Sequence, residues 1–150
     1  MKKLHFALPV KTILLVVLGL LTAVGAQARD DKYMLPIEDV LTEYEDRLDS
    51  NISLYFGEQA HSPVTKKHGE FPTNKKTNAF GKSDEKACRW VMLSALLALQ
   101  ERAKLEGGNA VVNIRSYYKK NIVSSESDYE CHAGAIMAGV ALIGEVVTLD

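Results

Sequence analysis

The sequence predicts an α+β domain in which one long helix packs on a small antiparallel sheet and an amphipathic helix precedes the sheet. Residues 84–106 are rich in apolar side chains and are bounded by helix-capping residues. Apolar and polar residues alternate over 52–56 and 110–118, as in half-buried strands. An apolar tail over 129–149, interrupted by glycines, predicts two further strands.

Residues 1–28 have the pattern of a cleaved secretory signal peptide. Lysines flank a short apolar run from Ile13 to Leu21, and small residues follow, ending in Ala26-Gln27-Ala28. A membrane-spanning helix needs about 20 apolar residues, so this run is too short to remain as an anchor. We therefore expect a soluble periplasmic protein that begins at Arg29, forms a single domain over 29–150, and keeps no membrane span after cleavage.

The first predicted helix begins after Pro36, which is favoured at the start of a helix because its missing N–H is not needed there. Its apolar residues recur at helical spacing: Ile37, Val40, Leu41, Tyr44 and Leu48. The strand at 52–56 follows. From about 58 to 82 the periodic pattern is lost and polar residues dominate, so this segment is predicted to be a long polar loop.

The long helix has clear end signals. Ser83 precedes two acidic residues and is a plausible N-cap, and Gly107-Gly108 follows the last apolar residue. This helix is expected to pack against one face of the sheet. The predicted core consists of Val91, Leu96, Leu99, Val112, Ile114, Ile136 and Val140.

Two cysteines remain after signal cleavage, Cys88 and Cys131. In an oxidising compartment an even number of cysteines favours a disulfide, which here would join the start of the long helix to the sheet. Cys88 near a helix N-terminus, with His132 beside Cys131, would suit a reactive thiol only if one cysteine stayed free. The bonded form is the prediction, and an enzyme that uses a free thiol is the alternative.

Basic residues are concentrated in the middle of the chain. Residues 29–150 hold 15 basic and 19 acidic side chains, which does not fit a nucleic-acid-binding protein. Within them, residues 61–89 carry seven basic against three acidic side chains. This local excess of positive charge, together with the basic residues at the end of the predicted strand 110–118 and just after it, predicts contact with an anionic surface. The candidate contact residues are Lys66, Lys67, Lys75, Lys76, Lys82, Arg115, Lys119 and Lys120.

Two other motifs carry less weight. Gly81-Lys82-Ser83 looks like the end of a phosphate-binding P-loop, but Lys76 stands where the motif needs its first glycine. We therefore expect neither an ATPase nor a DNA-repair subunit. His61, His68 and His132 are weak candidates for metal ligands, because they lack the tight spacing and additional ligands of typical sites. No cofactor and no metal are expected.

The C-terminal half resembles small α+β domains of the YbjQ type and, more loosely, the exported RcsF-like domains. The resemblance lies in the helix end and strand at 105–114 (LEGGNAVVNI) and in the glycine-rich strand that follows. It implies a helix packed on a small antiparallel sheet, and YbjQ-type proteins are often oligomeric. The segments 54–57, 73–82 and 107–113 also resemble short exported bacterial proteins that are commonly labelled as an excinuclease ATPase subunit.

The functional prediction is a periplasmic, non-catalytic binding or interaction module of the cell envelope. Its partner is expected to be an envelope protein or an anionic surface component, with a sheet edge as the candidate surface for pairing with a second copy. The alternative is a periplasmic protein that binds a metal or a small ligand. An enzyme is not expected.

Overall fold

A computed structural model describes residues 29–150, so the predicted signal peptide lies outside the described residues. The α+β class is confirmed, but the sheet is larger than predicted. Six strands form it: β1 (Asp31–Pro36), β2 (Ser53–Phe56), β3 (Val64–Asn78), β4 (Ala110–Ser116), β5 (Asp128–Ala133) and β6 (Met137–Leu149). The helices are α1 (Ile37–Glu43) and α2 (Asp84–Glu106), with short 3-10 turns at Glu45–Arg47 and Tyr118–Lys120.

Strand β6 is the centre of the sheet. Along one edge it pairs antiparallel with β3 over nearly its whole length. Its other edge is shared by β5, which pairs at Ala138 and Gly139, and by β4, which pairs from Leu142 to Val147. Strand β1 adds to the outer edge of β5 and β2 to the outer edge of β4.

The β2–β4 pair is parallel, which differs from the all-antiparallel sheet of the prediction. Parallel neighbours need a long crossover connection, and here β3 and α2 provide it. The sheet is therefore mostly antiparallel, with this one parallel pair at its edge.

Helix α2 covers one face of the sheet with the bounds that the sequence predicts. Ser83 accepts a hydrogen bond from the Lys86 amide at 3.3 Å, and Gly107 ends the helix in the left-handed conformation with φ 78°. Of the predicted core, six residues are buried. Ile136 is the exception, with 61% of its surface exposed, because it lies in the connection between β5 and β6 and not in a strand.

The prediction of a long polar loop over about 58–82 was wrong. Most of this segment is strand β3, a 15-residue edge strand none of whose residues is fully buried. Because one edge of β3 faces solvent, its side chains stay polar and give no apolar alternation, while pairing with the apolar β6 holds its backbone in place. Pro72 fits such a strand, since an edge position tolerates a residue without an N–H.

Other boundaries also differ from the predictions. Strand β1 was not predicted, and α1 ends at Glu43, five residues before Leu48, the last apolar residue of the predicted helix. Strand β4 ends at Ser116, two residues before the predicted end, and is followed by the 3-10 turn in which Lys119 and Lys120 have positive φ angles. The tail does divide into two strands, as predicted. Among the helices of residues 29–150, none has the length and apolar character needed to cross a bilayer.

Candidate functional site

The disulfide between Cys88 and Cys131 is present, as predicted. The two Cα atoms are 5.9 Å apart and both residues are fully buried. The bond links the first turns of α2 to the middle of β5. It therefore fixes the position of the next residue, His132, whose side chain lies on the opposite face of the sheet from the helix.

His132 lies between two carboxylates. Its Nδ1 is 3.0 Å from Asp30 Oδ1 and its Nε2 is 2.9 Å from Glu130 Oε1. The imidazole side chain is only 13% exposed. A neutral imidazole has one N–H and can donate to only one of these acceptors, whereas an imidazolium can donate to both.

Tyr118 covers the imidazole ring. The two rings are stacked, with centroids 3.4 Å apart and planes inclined by 13°. The Tyr118 hydroxyl donates to Asp30 Oδ2 at 3.0 Å, and Lys119 Nζ reaches the same oxygen at 3.3 Å. The left-handed backbone at Lys119 (φ 50°) and Lys120 (φ 66°) forms the turn that positions this tyrosine.

Both carboxylates are held in their charged form. The hydrogen bond from the Tyr118 hydroxyl, together with those from His132 and Lys119, lowers the pKa of Asp30. For Glu130, burial alone would raise the pKa, but hydrogen bonds from Lys32 and His132 more than offset it and the pKa is lowered. Lys32 Nζ lies 2.7 Å from Glu130 Oε2. These contacts form one connected polar network, which we call the His132 network: Lys32, Glu130, His132, Asp30, Tyr118 and Lys119.

An open groove of about 530 Å³ lies beside the His132 network. Its lining includes Tyr118 and His132 of the network and the exposed apolar residues Ile136 and Met137. Gly139 pairs with Lys76 on one side and with His132 on the other. Because Gly139 has no side chain, the space between Lys76 and the imidazole stays open and forms the floor of the groove.

The eight predicted contact residues do not form one basic surface. Lys75 and Lys76 lie on opposite faces of β3: Lys75 borders a depression beside α2, and Lys76 borders the groove. Lys66 and Lys120 are exposed.

Three of the others are engaged by acidic residues. Arg115 pairs with Glu70 at 2.5 Å, Lys67 with Glu145 at 3.7 Å, and Lys119 with Asp30. Lys82 donates to the Asn78 carbonyl oxygen at 2.9 Å. Of the eight, Lys76 borders the groove and Lys119 belongs to the His132 network.

The three histidines have separate partners. His61 contacts the Ser62 carbonyl oxygen and packs against Tyr55, and His68 contacts the Thr148 hydroxyl at 2.9 Å. Of these three histidines, His132 is the one that has carboxylate neighbours among residues 29–150. Within residues 29–150, no group of three or more His, Cys, Asp or Glu side chains is arranged to hold a metal ion.

The sequence predicted His132 and Lys76 as candidate site residues. It did not point to Asp30 or Met137, and it placed Ile136 in the core instead of at the surface. Asp30 is 102 residues away from His132 in the chain, so no local spacing relates them. A usable signal was the charged, aromatic run at 115–120, which includes Tyr118. Comparison with family models, with curated proteins and with solved structures finds no match to this chain.

Proposed function

We propose that this chain is an exported, non-catalytic binding module of the cell envelope and that the groove beside His132 is its contact surface. The observation that carries the proposal is the combination of exposed apolar side chains with a fixed polar wall. Ile136 and Met137 are 61% and 44% exposed, and they line the same groove as Tyr118 and His132 of the His132 network. Apolar side chains beside oriented polar groups are typical of binding sites.

The compartment assignment rests on two features. The predicted signal peptide at 1–28 supports export. The Cys88–Cys131 bond supports an oxidising location, because cytosolic proteins seldom keep structural disulfides.

Binding fits the groove better than catalysis does. Both ring nitrogens of His132 are engaged by carboxylates, and the Tyr118 hydroxyl donates to Asp30. These groups hold each other in place, so none is directed at the groove as a general acid or base. The bonded cysteines likewise give no support to the alternative of a thiol enzyme.

A small ligand is the second candidate, since a groove of about 530 Å³ is within the size range of ligand sites. The metal part of that alternative has no support from the geometry, because the histidines contact different residues.

In-cell photo-crosslinking tests the proposal. A photoreactive side chain would replace Ile136 in one variant and Leu105 in another. Leu105 is a matched control because it is 70% exposed but lies near the end of α2, about 30 Å from the helix start, where Asp84 pairs with Arg29 of the groove lining. The adducts are separated and identified by mass.

We expect adducts at position 136 and few at position 105. Equal adduct yields at both positions, or none at either, would contradict the assignment of the groove as the contact surface.

A further inference from the structure

We propose that the end of the domain that carries Phe80, Ile136 and Met137 docks on an anionic phospholipid bilayer. We call these three residues the apolar tip. This inference rests on the proposed function and names the partner of the same surface, since two tip residues border the groove.

The three residues come from two chain segments whose backbones meet at one end of the sheet. The Ala79 amide donates to the Ile136 carbonyl oxygen at 2.9 Å, and Asn78 pairs with Met137. Phe80 follows directly and is 74% exposed. Large apolar side chains exposed together at one place mark a surface that is covered in use.

The cations at the tip are available for anionic headgroups. Lys76 borders the groove beside Met137, and Lys82 reaches the Asn78 carbonyl oxygen, which places its ammonium group next to the tip. Within residues 29–150, neither lysine takes part in an ion pair.

Three acidic residues around the tip contact cationic side chains, although Asp31 and Asp84 share the single charge of Arg29. Asp31 and Asp84 pair with Arg29, and Asp30 belongs to the His132 network. Glu85, in the first turn of α2, is the exception within the described chain. Exposed apolar residues flanked by unpaired lysines match the interface of an anionic bilayer, where the acyl region takes the apolar groups and the headgroups take the cations.

Arg29 also lies at this end of the domain, because its carbonyl oxygen packs so closely against Gly134 that a Cβ there would lie 2.6 Å away. The ion-pair partners of Arg29 therefore lie near the tip as well.

A second copy of the chain is a weaker candidate for this surface. Three side chains of this size cover on the order of 500 Å², whereas a stable protein interface buries about 800 Å² on each partner. A bilayer sets no such minimum area.

The test uses the protein purified after export, with sucrose-loaded vesicles made of phosphatidylglycerol and phosphatidylcholine or of phosphatidylcholine alone. Co-sedimentation gives the partition coefficient. The variants are Phe80→Ser with Ile136→Ser, Lys76→Gln with Lys82→Gln, and Leu105→Ser as the matched control. Thermal melts check that each variant is folded.

We expect wild-type protein to bind the anionic vesicles, with at least about a tenfold loss in the Phe80/Ile136 double variant. The lysine variant should lose about fivefold for each lysine, and only on anionic vesicles. Leu105→Ser should bind as wild type does.

Wild-type protein that does not sediment with anionic vesicles would overturn the inference, as would a Phe80/Ile136 variant that binds unchanged. If either result came with protein adducts at position 136, the proposed function would stand, and the apolar tip would be a protein interface and not a bilayer contact. No vesicle binding and no adducts would overturn both.

Discussion

Removal of the disulfide should cost this domain a large part of its stability. The Cys88–Cys131 bond spans a sequence separation of 43 residues, which closes a loop of about 44 residues in the unfolded chain. On the chain-entropy estimate, closing such a loop destabilises the unfolded state by about 4 kcal/mol. Domains of this size are typically stable by only about 5–15 kcal/mol, so the effect should be easy to measure.

Equilibrium urea unfolding measures this contribution in three samples: oxidised wild type, wild type in reductant, and the Cys88→Ala/Cys131→Ala variant. Both cysteines are fully buried, so the alanine variant also loses packing around each sulfur. Comparison of reduced wild type with the variant separates this packing loss from the effect of the cross-link.

We expect the reduced wild type to lie about 3–5 kcal/mol below the oxidised form, and the alanine variant lower still. Reductant should leave the alanine variant unchanged, which controls for effects of the reagent itself. A difference of less than about 1 kcal/mol between oxidised and reduced wild type would refute the loop-entropy reasoning.

Three further predictions concern packing, capping and pH. Gly144→Ala should destabilise by about 1–3 kcal/mol in urea unfolding, because its Cβ would lie 2.6 Å from a methyl group of the buried Val111. Ser83→Ala should cost about 1 kcal/mol in the same assay, through loss of the α2 cap. Hydrogen bonds from Lys104 and Asn51 lower the pKa of Asp49 to about 2, below its value of 3.8 in the unfolded chain. Its carboxylate therefore stabilises the fold above about pH 4, and that contribution is lost as the pH falls toward 2, so Asp49→Asn should lose less stability than wild type over this window.

Each of these three predictions has an outcome that would contradict it. Gly139→Ala on the same strand is the matched control for the glycine, since its Cβ would meet nothing nearer than 3.5 Å. Equal effects at positions 139 and 144 would contradict the packing argument. A free energy of unfolding in urea that is unchanged in Ser83→Ala would contradict the contribution assigned to the cap. If the free energy of unfolding changed with pH in the same way for wild type and Asp49→Asn, the lowered pKa of Asp49 would be contradicted.

Elements with local signals could be predicted from the sequence. Helix α2 has its N-cap at Ser83 and its left-handed terminator at Gly107, so both ends are encoded within a few residues. The Cys88–Cys131 bond followed from the number of cysteines and the predicted compartment. The division of the tail into two strands followed from its glycines.

Elements that depend on distant partners could not be predicted in this way. Strand β3 is polar along most of its length, and its extended form depends on pairing with β6. The groove likewise depends on contacts between residues that are far apart in the sequence. His132 is held by Asp30, which is 102 residues away, and by Tyr118, which is placed by a left-handed turn.

The claim that this is an exported module is tested most directly by the intact mass of the protein purified from cells after alkylation without reduction. The account predicts a chain that begins at Arg29, lacks two hydrogens relative to the reduced form, and carries no alkyl group. A chain that retains residues 1–28, or one that takes up two alkyl groups, would contradict it.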